Sequence, residues 1–196
     1  MKTMTAIAAG AVLVAAASKD GGNREEEGWR AFSEVATVLT HPRCLNCHVP
    51  GDSPLQGAEG RPHSMNVRRG ADGRGTPAVR CTNCHQDANS PAPHSPPGAP
   101  DWRLPPPSLR LAWQGLSTEE ICRSVRNPAR NGGRNLSRLV EHVSSDHFVH
   151  WAWDPGPGRA APPLSHQDFV RRFVQWTESG APCGKARAPA RSADEQ

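Results

Sequence analysis

The sequence predicts a mainly α fold with extensive loops, packed around something other than a large side-chain core. Three observations lead there. Apolar residues recur at helical spacing in a few separated segments, with long aperiodic stretches between them. The 196 residues include 18 glycines and 20 prolines, but only 36% are hydrophobic and 5% aromatic. Six cysteines are present, four of them in two close pairs. That length suits one or two small domains, yet the inventory of large apolar side chains is thin.

The elements follow in chain order. Lys2 precedes a small-apolar run from Ala6 to Ala17 that ends in Ala15-Ala16-Ala17, so residues 1–17 read as a secretory signal peptide. A retained N-terminal anchor is the alternative, although the run is shorter than the about 20 apolar residues a membrane span needs. Residues 18–28 read as a polar linker. From Glu25 to Thr40, Trp29, Phe32, Val35, Ala36 and Leu39 share one helical face, Glu25, Glu26 and Glu27 suit the first turn, and Pro42 marks the end. Residues 29–90 form the region that carries both cysteine pairs, and residues 49–80 within it read as loop. The segment 91–107 holds eight prolines and reads as an extended wrap. Residues 108–184 are helical again. Ser117-Thr118-Glu119-Glu120 is a capping box that opens a helix to Arg126. A second helix spans Leu136 to Ser145. A third runs from about Ser165 to Ser179, with Gly180 as its stop. Residues 185–196 read as a disordered tail.

The formal net charge of +4 is spread along the chain rather than clustered, so neither composition nor charge marks a nucleic-acid surface. No second apolar stretch of spanning length follows the first, and the mature chain is expected to carry no membrane span.

The cysteine pairs carry the chemistry. Cys44 and Cys47 are followed at once by His48, and Cys81 and Cys84 by His85. Two thiols three residues apart reach the two vinyl groups of one porphyrin, and the next side chain then falls beneath the iron. C-x-x-C-H is the attachment signature of c-type haem, with His as the proximal ligand. A zinc ribbon would space its pairs by about 15–20 residues, whereas Cys47 and Cys81 lie 34 positions apart. Zinc also gives no reason for a His after each pair. A disulfide framework leaves those histidines unexplained, and no βαβ pattern supports a thioredoxin-like site. The full expectation is thus cytochrome c-like helices packed around two covalently attached haems, which supply the missing apolar bulk. Cys122 and Cys183 remain, and in an oxidising compartment they are expected to pair, two buried free thiols being the alternative.

The distal side of each iron is less constrained. Beyond His48 and His85 there are His41, His63, His94, His142, His147, His150 and His166. His63 follows the first motif by fifteen residues, room enough for the chain to turn round a porphyrin edge. Met65 competes with it, and either could be a solvated loop residue. His142 sits at the edge of the apolar face of the Leu136–Ser145 helix, with His147 as runner-up. His94 is an outsider, and His41 lies too near Cys44. Trp151 and Trp153 could pack on a haem or fill the core.

His41-Pro42-Arg43-Cys44, Arg69-Gly70-Ala71-Asp72-Gly73, Asn131-Gly132-Gly133 and Trp151-Ala152-Trp153-Asp154-Pro155-Gly156 resemble a bacterial family labelled as the cytochrome subunit of isoquinoline 1-oxidoreductase. The likeness runs from about residue 30 to Cys183. It implies electron transfer from a molybdenum hydroxylase, and similar sequences carry His near positions 63 and 142. The expected function is a periplasmic electron carrier between a dehydrogenase and a respiratory acceptor. A small haem enzyme of the peroxidase or thiosulfate-oxidising type, with one open iron, is the rival.

Overall fold

The computed structural model describes residues 9–109 and 111–184. Residues 1–8 of the expected signal segment, and the expected tail 185–196, lie outside them. Seven helices occur among the described residues: α1 (Ala9–Leu39), α2 (Pro42–Leu45), α3 (Thr118–Arg126), α4 (Pro128–Asn131), α5 (Leu136–Ser145), α6 (His147–His150) and α7 (His166–Glu178). Two minimal antiparallel hairpins interrupt the loop region, β1 (Leu55–Gln56) with β2 (Arg61–Pro62), and β3 (Gly75–Thr76) with β4 (Val79–Arg80). No helix among the described residues is long and apolar enough to cross a membrane.

The mainly α expectation holds, and three of its helices start or stop where the sequence signals them. Ser117 caps α3 through Glu120 N–H while the Glu120 carboxylate reaches back to Ser117 N–H. Asn135 caps α5, and Ser165 caps α7 by accepting from Asp168 N–H. Gly180, at φ 87°, follows the end of α7 in a conformation that costs glycine little. The residues read as a linker are helical. Residues 18–28 continue α1 rather than separating it from the leader. Two glycines cost a helix about 1 kcal/mol each, and the charged residues after them favour helix.

The helical core joins the two ends of the described chain. Phe32, Val35 and Val38 of α1 are wholly buried against α7, where Phe32 packs on Trp176 with ring centroids 4.7 Å apart. Gly28 of α1 lies against the residue that ends α7: a Cβ there would stand 2.5 Å from Ser179 Cβ. Arg172 of α7 donates to Glu34 of α1 at 2.8 Å. Cys122 on α3 is disulfide-bonded to Cys183 just past α7, with Cα atoms 5.5 Å apart. The last residues are held further by Trp176 Nε1 donating to Pro182 O and Arg126 to Ala181 O.

The loop half has a different economy. Its side-chain core is small, built on Cys81, Ala99 and Trp102 with Phe148 and Trp151 against them. Much of its order comes from polar cross-links instead. Arg69 is almost fully buried and donates to the carbonyls of Val49, Gly51 and Pro105. One guanidinium therefore ties the loop after the first Cys pair to the proline-rich segment. A fixed planar fork of donors suits three backbone acceptors, which a lysine would not reach together. That proline-rich segment does wrap, burying Ala99, Trp102 and Leu104.

Candidate functional site

Each C-x-x-C-H sequence is wound into the same tight turn. In the first, Cys47 N–H and His48 N–H both donate to Cys44 O, at 3.2 and 3.1 Å. In the second, Cys84 N–H and His85 N–H donate to Cys81 O, at 3.2 and 2.9 Å. A helical turn carries residues three and four apart to one face, so each turn gathers two sulfurs and an imidazole. His41 caps the first turn at α2 by accepting from Arg43 N–H. All four motif cysteines are free thiols.

The histidines of the two motifs are locked from behind in one manner. His48 Nδ1 donates to Leu111 O at 2.6 Å, and its ring lies on Trp113 with centroids 3.8 Å apart and planes within 15°. His85 Nδ1 donates to Pro97 O at 2.7 Å and stacks on Trp102 at 4.2 Å and 7°. A carbonyl can only accept, so Nδ1 carries the proton in each, and Nε2 presents its lone pair on the other side.

The two expected distal histidines are oriented likewise. His63 Nδ1 donates to Ser64 O at 2.9 Å, and His142 Nδ1 meets Asp146 Oδ2 at 3.2 Å. His63 faces the second motif, its ring centroid 6.2 Å from that of His85 and tilted by 59°. This differs from the turn about the first porphyrin that its place in the sequence suggested. The loop carrying β1 and β2 projects across to the neighbouring site instead of folding back. His142 lies near enough to His48 for its charge to act on that ring. The distance from His63 to His85 has a chemical meaning. Imidazole nitrogens bind a metal at about 2 Å. Two rings on opposite sides of one ion therefore have centroids about 6 Å apart, once a ring radius is added at each end.

Cys47, Cys81, Cys84, His85 and His63 line one cleft of about 670 Å³. Cys47 also lies within electrostatic range of Cys81. The two motifs thus adjoin.

Burial, aided by the neighbouring Cys47, pushes the Cys44 thiol up to about 12, and burial pushes Cys47 up to about 11. Such thiols are neutral and poor nucleophiles at neutral pH, which argues against a thiol–disulfide exchange site. Burial lowers His48 to about 4, and it also lowers His85 and His142. The rings are therefore held as neutral imidazoles, the form that binds a metal.

Among the described residues no three His, Cys, Asp or Glu side chains converge on one point. Haem iron asks for less, since the porphyrin supplies four of its ligands and the protein two. Two further observations bear on fit. Arg43 Nε and Trp113 Nε1 are buried beside the first motif without a hydrogen-bond partner among the described residues. Both are donors that a carboxylate-bearing group would satisfy.

The other sequence candidates fall elsewhere. Met65 is 74% exposed on a residue with φ 60°, on the rim of the cleft. His147 is exposed. His94 and His41 stand at the cleft margin. Trp151 lines the cleft and meets Trp102 edge-on at 4.7 Å. Trp153 turns the other way, donating to Leu164 O and packing on Phe169 in the helical core. The two tryptophans do not share a face. Sequence reasoning missed Trp102, Trp113 and Asp146. The tryptophans had one usable signal, being lone aromatic residues in polar, proline-rich chain.

Comparison with family models, curated proteins and solved structures finds no match to this chain.

Proposed function

We propose that this chain is an exported di-haem c-type cytochrome that carries electrons between a dehydrogenase and a respiratory acceptor. One haem would be held by Cys44 and Cys47 with His48 and His142 on its iron. The other would be held by Cys81 and Cys84 with His85 and His63. The observation that carries this reading is the orientation of four imidazoles. Each of these histidines commits Nδ1 to an oxygen, and they fall into two pairs, one at each motif.

When bound, haem supplies a one-electron couple, and the chain's residues set its potential and access. His48 and His85 are kept neutral and fixed in tautomer by carbonyls and tryptophans. Arg43 and Trp113 offer donors to the carboxylates. The closeness of Cys47 and Cys81 brings the two sites together, as exchange between them requires. Export follows from the signal-like first residues and the Cys122–Cys183 disulfide. A molybdenum hydroxylase remains a candidate donor through the resemblance alone. An enzyme with one open iron is the less favoured reading, because His63 faces His85 and His142 lies within electrostatic range of His48.

The test is mass spectrometry of the protein expressed with export and haem-attachment machinery. Two haems should remain bound under denaturing conditions. Cys44→Ala with Cys47→Ala should remove one, and the corresponding changes at 81 and 84 the other. Both irons should be low-spin and indifferent to carbon monoxide when reduced. A chain without covalent haem would end this reading, and one iron that binds carbon monoxide would favour the enzyme.

A further inference from the structure

Three of the four inward histidines rest their Nδ1 on a backbone carbonyl. The fourth does not. His142 Nδ1 faces the carboxylate of Asp146, one turn later on the same stretch of chain, at 3.2 Å. Asp146 has its two oxygens divided between tasks. Oδ1 accepts from Phe148 N–H and Val149 N–H, capping α6, while Oδ2 meets His142. The capping bonds fix the side-chain rotamer, so the second oxygen is aimed rather than merely nearby. Both residues are about a third exposed, at 31% for Asp146 and 35% for His142. The pair is thus sheltered but not sealed. Arg134 and Arg103 both act on His142 against Asp146, whose carboxylate is the anion in direct contact.

A carboxylate behind a ligating imidazole makes the ring a stronger donor than a carbonyl does. Stronger donation favours ferric over ferrous iron, which lowers a reduction potential. Resting on the di-haem reading above, we infer that Asp146 holds the iron of the first site at a lower potential than that of the second. With haem held at both motifs, an electron shared by the pair would rest on the second site, leaving the first ferric and the second ferrous. Asp146 is a positioning residue, acting on the iron only through His142, and it makes the molecule directional.

The experiment is a spectroscopic redox titration of the holoprotein and of Asp146→Asn. Asparagine caps helices about as well as aspartate, so its one amide oxygen keeps the α6 cap while its NH2 replaces Oδ2; the charge and the acceptor behind His142 Nδ1 go together, and the spin state of the iron reports whether ligation persists. The lower of the two potentials should rise by about 59 mV, a tenfold change in a one-electron equilibrium. The higher potential should not move. Asp146→Glu, which restores the charge, should return the lower potential most of the way. EPR should show both irons low-spin in every form. The inference is overturned if neither potential moves, if both move together, or if D146N binds carbon monoxide, since Asp146 would then only hold His142 in place. Absence of covalent haem from the unsubstituted protein would instead refute the di-haem reading itself, and mass spectrometry reports that separately.

Discussion

His150 and His166 use Nε2 on the carbonyls of Ser144 and Val143, the last turn of α5, and so brace a helix end. His48, His63, His85 and His142 use Nδ1 and leave Nε2 free. Among these six histidines the choice of nitrogen separates the helix braces from the candidate ligands, while His41 uses Nδ1 as an acceptor to cap α2. A consequence can be measured at single residues. His142→Ala should let the ferrous first site bind carbon monoxide while the second stays closed, and His63→Ala should do the reverse, read as half-site difference spectra. Carbon monoxide binding at neither would break the assignment of pairs. The place of His142 on α5 was legible in the sequence because a helical periodicity put it at an apolar edge. The partnering of His63 with the second motif was not, since sequence distance favours the nearer site and nothing local encodes a loop's reach. The acceptors at Leu111 and Pro97 were invisible for a plainer reason. They are backbone carbonyls, which every residue has.

At the scale of the element, the helices were the readable part. Their ends are written in side chains: Ser117 and Glu120 at α3, Ser165 at α7, Gly180 beyond it. Ser117→Ala should lower stability by about 1 kcal/mol in urea titrations. The other half of that box gives a pH signature. Ser117 N–H, then its hydroxyl, hold the Glu120 carboxyl below the ordinary glutamate range. Its unfolded-state proton affinity is the higher, so its contribution is complete above the ordinary glutamate value and fades as pH falls through the depressed one. The urea midpoint of the protein should therefore fall between about pH 5 and pH 3 with a component that Glu120→Gln removes. An unchanged pH slope in that variant would count against the box. The two hairpins were not foreseen, because strands of two residues have no period to detect. α1 was foreseen only from Glu25, since Gly21 and Gly22 speak for a break that the longer run of helix formers overrides.

Across the whole molecule, the helical core and the cleft are stabilised by different means. Phe32, Phe173 and Trp176 make the core an ordinary close-packed one. The walls of the cleft depend on Arg69, stacked rings and the room between them. The Cys122–Cys183 disulfide closes a long stretch of chain on the core side, with a sequence separation of 61. Replacing both cysteines by alanine should lower unfolding free energy by about 2–4 kcal/mol and, on the di-haem reading, leave the visible absorption unaltered. A changed spectrum would mean the two halves are coupled more tightly than their separate clusters imply. The fold class was readable because helix periodicity and the shortage of apolar residues pointed the same way. The division of labour was not, since it depends on where a buried arginine finds three carbonyls.

The carbonyl locks also have an order in time. If the chain is exported as proposed it leaves the channel N-terminus first, and each motif precedes the residue that fixes its histidine. His85 is followed by Pro97 after 12 residues, but His48 must wait 63 residues for Leu111. The first Cys-x-x-Cys-His turn thus spends a long interval with its imidazole unbraced and its thiols in water, their protonation that of any free cysteine. The second is closed in almost as soon as it emerges. On the di-haem reading, covalent attachment at the two motifs would work against unequal clocks, and a strain short of attachment machinery should accumulate chain loaded at the first motif and empty at the second.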